Sequence, residues 1–162
     1  MGALQEFSEH LDAMTDLFSR YGGFLEQKEK LLQRSAFAEL EQLLPEEETL
    51  LIEMDHAEQR RDELARFLCR EKKIPEGSPL QQIVQTLPEK EGTQLMVKVA
   101  RLMECLQDIS FHHLNVQQMV SFQLRQIRVM EQTLRGDSRT NVYNMEGKNK
   151  PRTGKTQFDG NG

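Results

Sequence analysis

The sequence predicts an all-α protein: an elongated antiparallel helical bundle or coiled coil with one long C-terminal helix and a flexible tail. Three observations carry that prediction. Near the C-terminal end Leu95, Val99, Leu102, Leu106, Ile109, His113, Val116, Val120, Gln123, Ile127, Met130 and Leu134 follow one another at alternating steps of four and three, which keeps one apolar stripe on one side of a helix. No proline interrupts that run between Glu89 and Arg135, so it forms a single helix about 70 Å long at 1.5 Å per residue. Aromatic content is 6 % and tryptophan is absent, while Leu, Glu, Gln, Lys, Arg and Met dominate, the composition of helical bundles. With 162 residues the chain suits one elongated helical core and not two compact ones.

The first helix is predicted from about Ala3 to Gln33, where Leu4, Phe7, Leu11, Met14, Phe18, Tyr21, Leu25 and Leu32 keep the same alternation. Gly22 and Gly23 fall inside it at a cost of about 1 kcal/mol each relative to alanine. They imply a bend or a close helix contact. Ser35 is placed to cap a second helix carrying Phe37, Leu40, Leu43 and Leu44 before Pro45. Pro45 with Glu46, Glu47 and Glu48 has the form of a first helical turn, so the helix either restarts or kinks there. Its acids are expected to be solvated, because consecutive helical side chains fan around the cylinder and do not converge on a metal.

The pattern resumes through Leu50, Met54, Leu64 and Leu68 and fades after Cys69. The segment Arg70 to Pro79, with two prolines and a glycine, reads as a connection. A short helix over Pro79 to Leu87 places Leu80, Ile83, Val84 and Leu87 on one face. Pro88, Glu89 and Glu91 then open the long last helix. Residues 136–162 are rich in Gly, Asn, Thr and Lys and hold almost no periodic apolar positions, so they cannot offset the entropy of ordering. Residues 1–135 are therefore expected to form the helical domain and 136–162 a mobile tail.

Composition and motifs exclude several functions. The net charge of −5 is modest with both signs interspersed, which leaves no broad basic field for nucleic acid. Cys69 and Cys105 lack metal or redox spacing and read as small hydrophobes in a reducing compartment. No signal peptide is expected, because Gln5, Glu6 and Glu9 interrupt the first apolar positions, and Glu6 stands where a myristoylation motif needs Ser or Thr. His112 and His113 diverge by about 100° on a helix and cannot share an ion. His113, on the stripe, reads as a core histidine. Gly154, Lys155 and Thr156 echo the end of a phosphate loop, but Asn149 replaces its leading glycine. No cofactor, metal, small-molecule substrate, membrane insertion or catalytic set is expected.

The last helix is the informative element. Met96, Met103, Phe111, Leu114, Phe122 and Val129 form a second apolar face beside the main stripe, and a first helix of about 45 Å cannot match a last one of about 70 Å. Part of it is expected to overhang the bundle. Phe122, Ile127, Met130 and Leu134 lie toward that end, in a strip suited to another protein's amphipathic helix. The alternative is a structural coiled-coil protein whose second face is a self-association seam.

Glu58-Gln59-Arg60-Arg61 near the end of the second helix, His113-Leu114-Asn115 before an apolar helical run, and the tail Thr140-Asn141-Val142-Tyr143-Asn144-Met145-Glu146-Gly147-Lys148 together resemble the FlgN family of flagellar type III export chaperones. The likeness in layout covers almost the whole chain. It implies a cytoplasmic, non-enzymatic chaperone that binds the C-terminal helical ends of hook-filament junction proteins, prevents their premature assembly and delivers them to the cytoplasmic domain of the export gate. Homodimerisation of the free protein is left open. By position, the resemblance implies Tyr143 as the gate-docking residue and Asn115 as a cargo contact. The stripe adds Met119, Phe122, Ile127, Met130 and Leu134 to the cargo set.

Overall fold

In the computed structural model, which describes residues 2–136, four helices follow in the order α1 (Ala3–Gln33), α2 (Phe37–Glu71), α3 (Leu80–Gln85) and α4 (Glu89–Arg135). No strand occurs among the described residues, so the protein is all-α. The chain divides into two compact units, Met1–Gln117 and Gln118–Gly162. The expected tail lies, after Gly136, outside the described residues.

In the N-terminal unit α1 and α2 are antiparallel. Arg60 of α2 reaches Glu6 at 3.2 Å, His10 Nε2 donates to the Ala57 carbonyl at 2.7 Å, and Lys28 Nζ meets Glu47 at 2.8 Å. The α1 and α4 helices run parallel: Lys98 pairs with Asp12 at 2.6 Å, the Cys105 thiol points to the Thr15 carbonyl at 3.8 Å, and His112 pairs with Glu29. Ala3, Phe7, Leu11, Met14 and Phe18 of α1 form one core with Leu64, Leu68 and Cys69 of α2, Ile83 of α3, the following Leu87, and Leu95 and Leu102 of α4. Each full burial of such a side chain is worth roughly 1.5–3 kcal/mol. Gly92 fixes the crossing of α3 over the start of α4, because a Cβ there would lie 3.0 Å from Val84 Cγ1. Both cysteines serve as expected, Cys69 buried and Cys105 half-buried, and neither is in a disulfide.

Several local expectations are corrected. Ser35 does not cap α2. It has a left-handed backbone, φ 54°, and closes α1: the Ser35 amide donates to Leu32 and the Ala36 amide to Leu31, the paired bonds of a Schellman motif. Lys73, at φ 60°, closes α2 in the same way, with bonds from Lys73 to Arg70 and from Ile74 to Cys69. Gly22 and Gly23 mark no close helix contact, since a Cβ at Gly22 would meet only Ile109 at 3.9 Å and one at Gly23 nothing within 4 Å.

Pro45 lies inside α2, so of the two expectations, a restart or a kink, the restart is overturned. It withholds a donor from the Glu41 carbonyl, and both residues are exposed, so water can occupy the freed acceptor. Glu47 is not solvated. Its carboxylate is held by Lys28 and by the Tyr21 hydroxyl at 3.2 Å. Finally, the buried row of α4 uses Cys105, His112 and Met119 where the heptad reading had Leu106, His113 and Val120; the former are half-buried and the latter exposed. A repeat of 3.5 residues drifts by about 20° per heptad on a helix of 3.6 residues per turn, and adjacent positions exchange roles.

Two predictions follow from this packing. Ser35→Gly and Lys73→Gly should each stabilise the protein by about 0.5–1 kcal/mol in urea unfolding, because glycine occupies the left-handed region without the Cβ clash; unchanged midpoints would contradict the assignment. Burial and the neighbouring Glu47 push the Tyr21 hydroxyl up to about 12. An unfolded tyrosine ionises near 10, so the unfolded state loses its proton first and stability falls as pH rises from about 10 to 12. Tyr21→Phe should remove that part of the alkaline slope while costing about 1 kcal/mol at neutral pH.

Candidate functional site

The C-terminal unit contributes one helical segment to the described residues, Gln118–Arg135 of α4, and none of its side chains is buried. At about 100° per residue, Met119, Val120, Ile127, Met130 and Leu134 fall within one sector about 100° wide, together with Gln123. That is the width of the apolar stripe by which an ordinary surface helix binds its core. Ile127 is 45 % exposed, Met130 60 % and Leu134 80 %. Met119 and Gln123 are half-buried. The sector holds no charged residue. Its borders are Glu131 and Leu124 on one side and Gln126 and Thr133 on the other.

Of the sequence-predicted cargo positions, this sector unites Met119, Ile127, Met130 and Leu134. Phe122 is not with them. It lies about 120° round the helix beside Val129, and the two are 54 % and 56 % exposed. Asn115 belongs to the N-terminal unit, half-buried beside the buried Val116. Tyr143 lies outside the described residues. Val120 and Leu124 complete the exposed apolar surface of the segment, and Leu124 escaped the sequence reading because it sits one position off the heptad. The two-unit helical wheel, not the repeat, is the signal that finds it.

The N-terminal unit also has exposed apolar residues on its part of α4, with Met96, Met103, Phe111 and Leu114 all open to solvent. Met103, Leu106, Gln107 and Ser110 surround a shallow depression of about 270 Å³. The second apolar face expected from the sequence is therefore present there as solvent-facing surface.

Polar chemistry in the N-terminal unit is structural. The Nδ1 of His112 donates to Glu29, with Glu26 3.9 Å from its other nitrogen, so this histidine joins α1 to α4. His113 is exposed. The Cys105 thiol is pushed up by burial and by the surrounding Asp108, Glu104 and Asp16 carboxylates, which disfavours the nucleophilic thiolate. Among the described residues no group of three or more His, Cys, Asp or Glu is placed to hold a metal ion. No described helix is long and apolar enough to cross a membrane.

The segment Gln118–Arg135 is thus amphipathic, with one uncharged apolar face and no buried residue. The family model for FlgN protein matches residues 1–151. No curated protein and no solved structure matches the chain. A match over most of the sequence, on an all-α chain ending in this long helix, shows that the chain belongs to the FlgN family of flagellar export chaperones, a non-enzymatic family whose members bind hook-filament proteins.

Proposed function

We propose that this protein acts in the cytoplasm, seats the C-terminal helical segment of a hook-filament junction protein on the face formed by Met119, Val120, Ile127, Met130 and Leu134, and hands it to the export gate. The observation that carries the reading is the exposure of Val120, Ile127, Met130 and Leu134 on the segment Gln118–Arg135, which has no buried side chain. A partner terminus that is disordered alone can fold against it, gaining about 25 cal/mol per Å² of apolar burial less the cost of ordering. Methionines at two of the positions let the surface repack around the side chains of more than one junction protein. Masking the same terminus keeps the junction protein from assembling early.

Asn115 is proposed as a further cargo contact and Tyr143 as the residue that docks on the gate's cytoplasmic domain. Both assignments rest on the family resemblance. A tail carrying Tyr143 after the cargo helix acts as a tethered second contact, which raises the local concentration of cargo at the gate to the millimolar range typical of short linkers. In the free protein the same apolar face is available for pairing with a second copy.

Titration calorimetry with a junction-protein C-terminal peptide tests the cargo face. Met130→Glu with Leu134→Glu should weaken binding by at least thirtyfold, the equivalent of about 2 kcal/mol of lost burial. The unfolding midpoint should stay unchanged, because both positions are exposed. Undiminished affinity would refute the assignment. For the gate, Tyr143→Ala should leave the cargo affinity within a factor of two and weaken binding to the gate's cytoplasmic domain about tenfold; equal losses on both partners would refute the division of labour.

A further inference from the structure

The cations of the C-terminal segment are segregated. Arg125, Arg128 and Arg135 occupy one sector about 80° wide, on the side of the helix away from the uncharged apolar face. Phe122 and Val129 border that sector next to Arg125, and both expose more than half their surface. None of the three arginines forms an ion pair among the described residues. In the N-terminal unit Arg20, Arg60, Arg61, Arg66 and Arg70 are each matched to a carboxylate, while Arg34 and Arg101 form no ion pair among the described residues.

The same polarity runs through the sequence at large. Residues 1–117 carry 13 Lys and Arg against 22 Asp and Glu, a net charge of −9, while residues 118–162 carry eight against four, a net charge of +4. A mean charge of −5 conceals this asymmetry, which is the kind that marks an interaction surface.

We propose that the sector of Arg125, Arg128 and Phe122 is a second docking edge of the C-terminal segment, and that it takes an acidic amphipathic polypeptide while cargo occupies the opposite, uncharged face. Guanidinium groups recognise carboxylates through paired hydrogen bonds. Phe122 and Val129 supply the apolar anchor that a purely ionic contact lacks. Charge complementarity selects an acidic partner and speeds its encounter. A short acidic segment is favoured over nucleic acid or an anionic membrane, because those extended polyanions gain affinity from many contacts, whereas the basic sector among the described residues is narrow and the first 117 residues carry a net −9. The inference builds on the proposed chaperone role only in leaving the cargo face free, and either can fail alone.

The test uses the full-length protein and fluorescence anisotropy with an 18-residue helical peptide bearing one leucine row and a flank of glutamates. Its partner probe carries glutamine at the same positions. The glutamate peptide should bind at least tenfold more tightly than the glutamine peptide at 50 mM salt. Arg125→Glu with Arg128→Glu, and separately Phe122→Ala, should each weaken it about tenfold, and Met130→Glu with Leu134→Glu should leave it within a factor of two. All of these positions are exposed, and circular dichroism confirms that the variants remain helical. Equal binding of the two peptides, indifference to the arginine or phenylalanine changes, or tighter binding of duplex DNA or phosphatidylserine vesicles than of the acidic peptide would overturn the proposal. Calorimetry of the arginine variants with the junction-protein peptide reads the cargo role separately, since those variants should bind cargo as the parent does.

Discussion

The apolar stripe of α1 is the constraint on which the N-terminal unit is built. It is buried from Ala3 to Leu32 and receives α2 on one side and α4 on another. The antiparallel α2 supplies close contact and a partly buried ion pair from Lys28 to Glu47. The parallel α4 is held through longer side chains, Lys98 to Asp12 and His112 to Glu29. A helix of 31 residues can shield only so much of one of 47, and α4's last buried residue is Val116. Apolar positions continue to Leu134 nonetheless.

Most polar pairs on the surface contribute little to stability. Arg20 to Glu53, Arg60 to Glu63 and Arg70 to Glu76 are well solvated, and such pairs are worth about 0–1 kcal/mol. They match Arg20, Arg60 and Arg70 to carboxylates of the same unit. Tyr21, Lys28 and Glu47 form a different kind of contact. The hydroxyl and the ammonium share one carboxylate in a half-buried setting, where an unpaired charge would be costly, and this ties α1 to α2 just after Pro45.

Chaperone work asks for reversible binding, and the architecture separates the two requirements. Rigidity comes from α1 with its neighbours, where aromatic and aliphatic side chains interlock. On the proposed reading, adaptability comes from the apolar face with its methionines, Met119 and Met130. No catalytic apparatus is needed, and the buried polar groups are engaged in holding helices together.

The apolar periodicity by itself determined the helix class and two full sets of boundaries, Ala3–Gln33 and Glu89–Arg135, because a long run at three-four spacing admits no competing element. It also located the exposed end of α4, since Ile127, Met130 and Leu134 carry the stripe onward. Tertiary structure decided what local rules left ambiguous. Ser35 is a good capping residue, yet the turn that brings α2 back onto α1 required a left-handed residue there, and closure of the previous helix won. Pro45 reads as a helix start, but α2 continues through it. Whether Cys105 or Leu106, and whether His112 or His113, faces α1 depends on rotations of about 100° between neighbouring positions. A heptad count cannot resolve them, because 3.5 and 3.6 residues per turn diverge with length and only the contact with a neighbouring helix sets the phase.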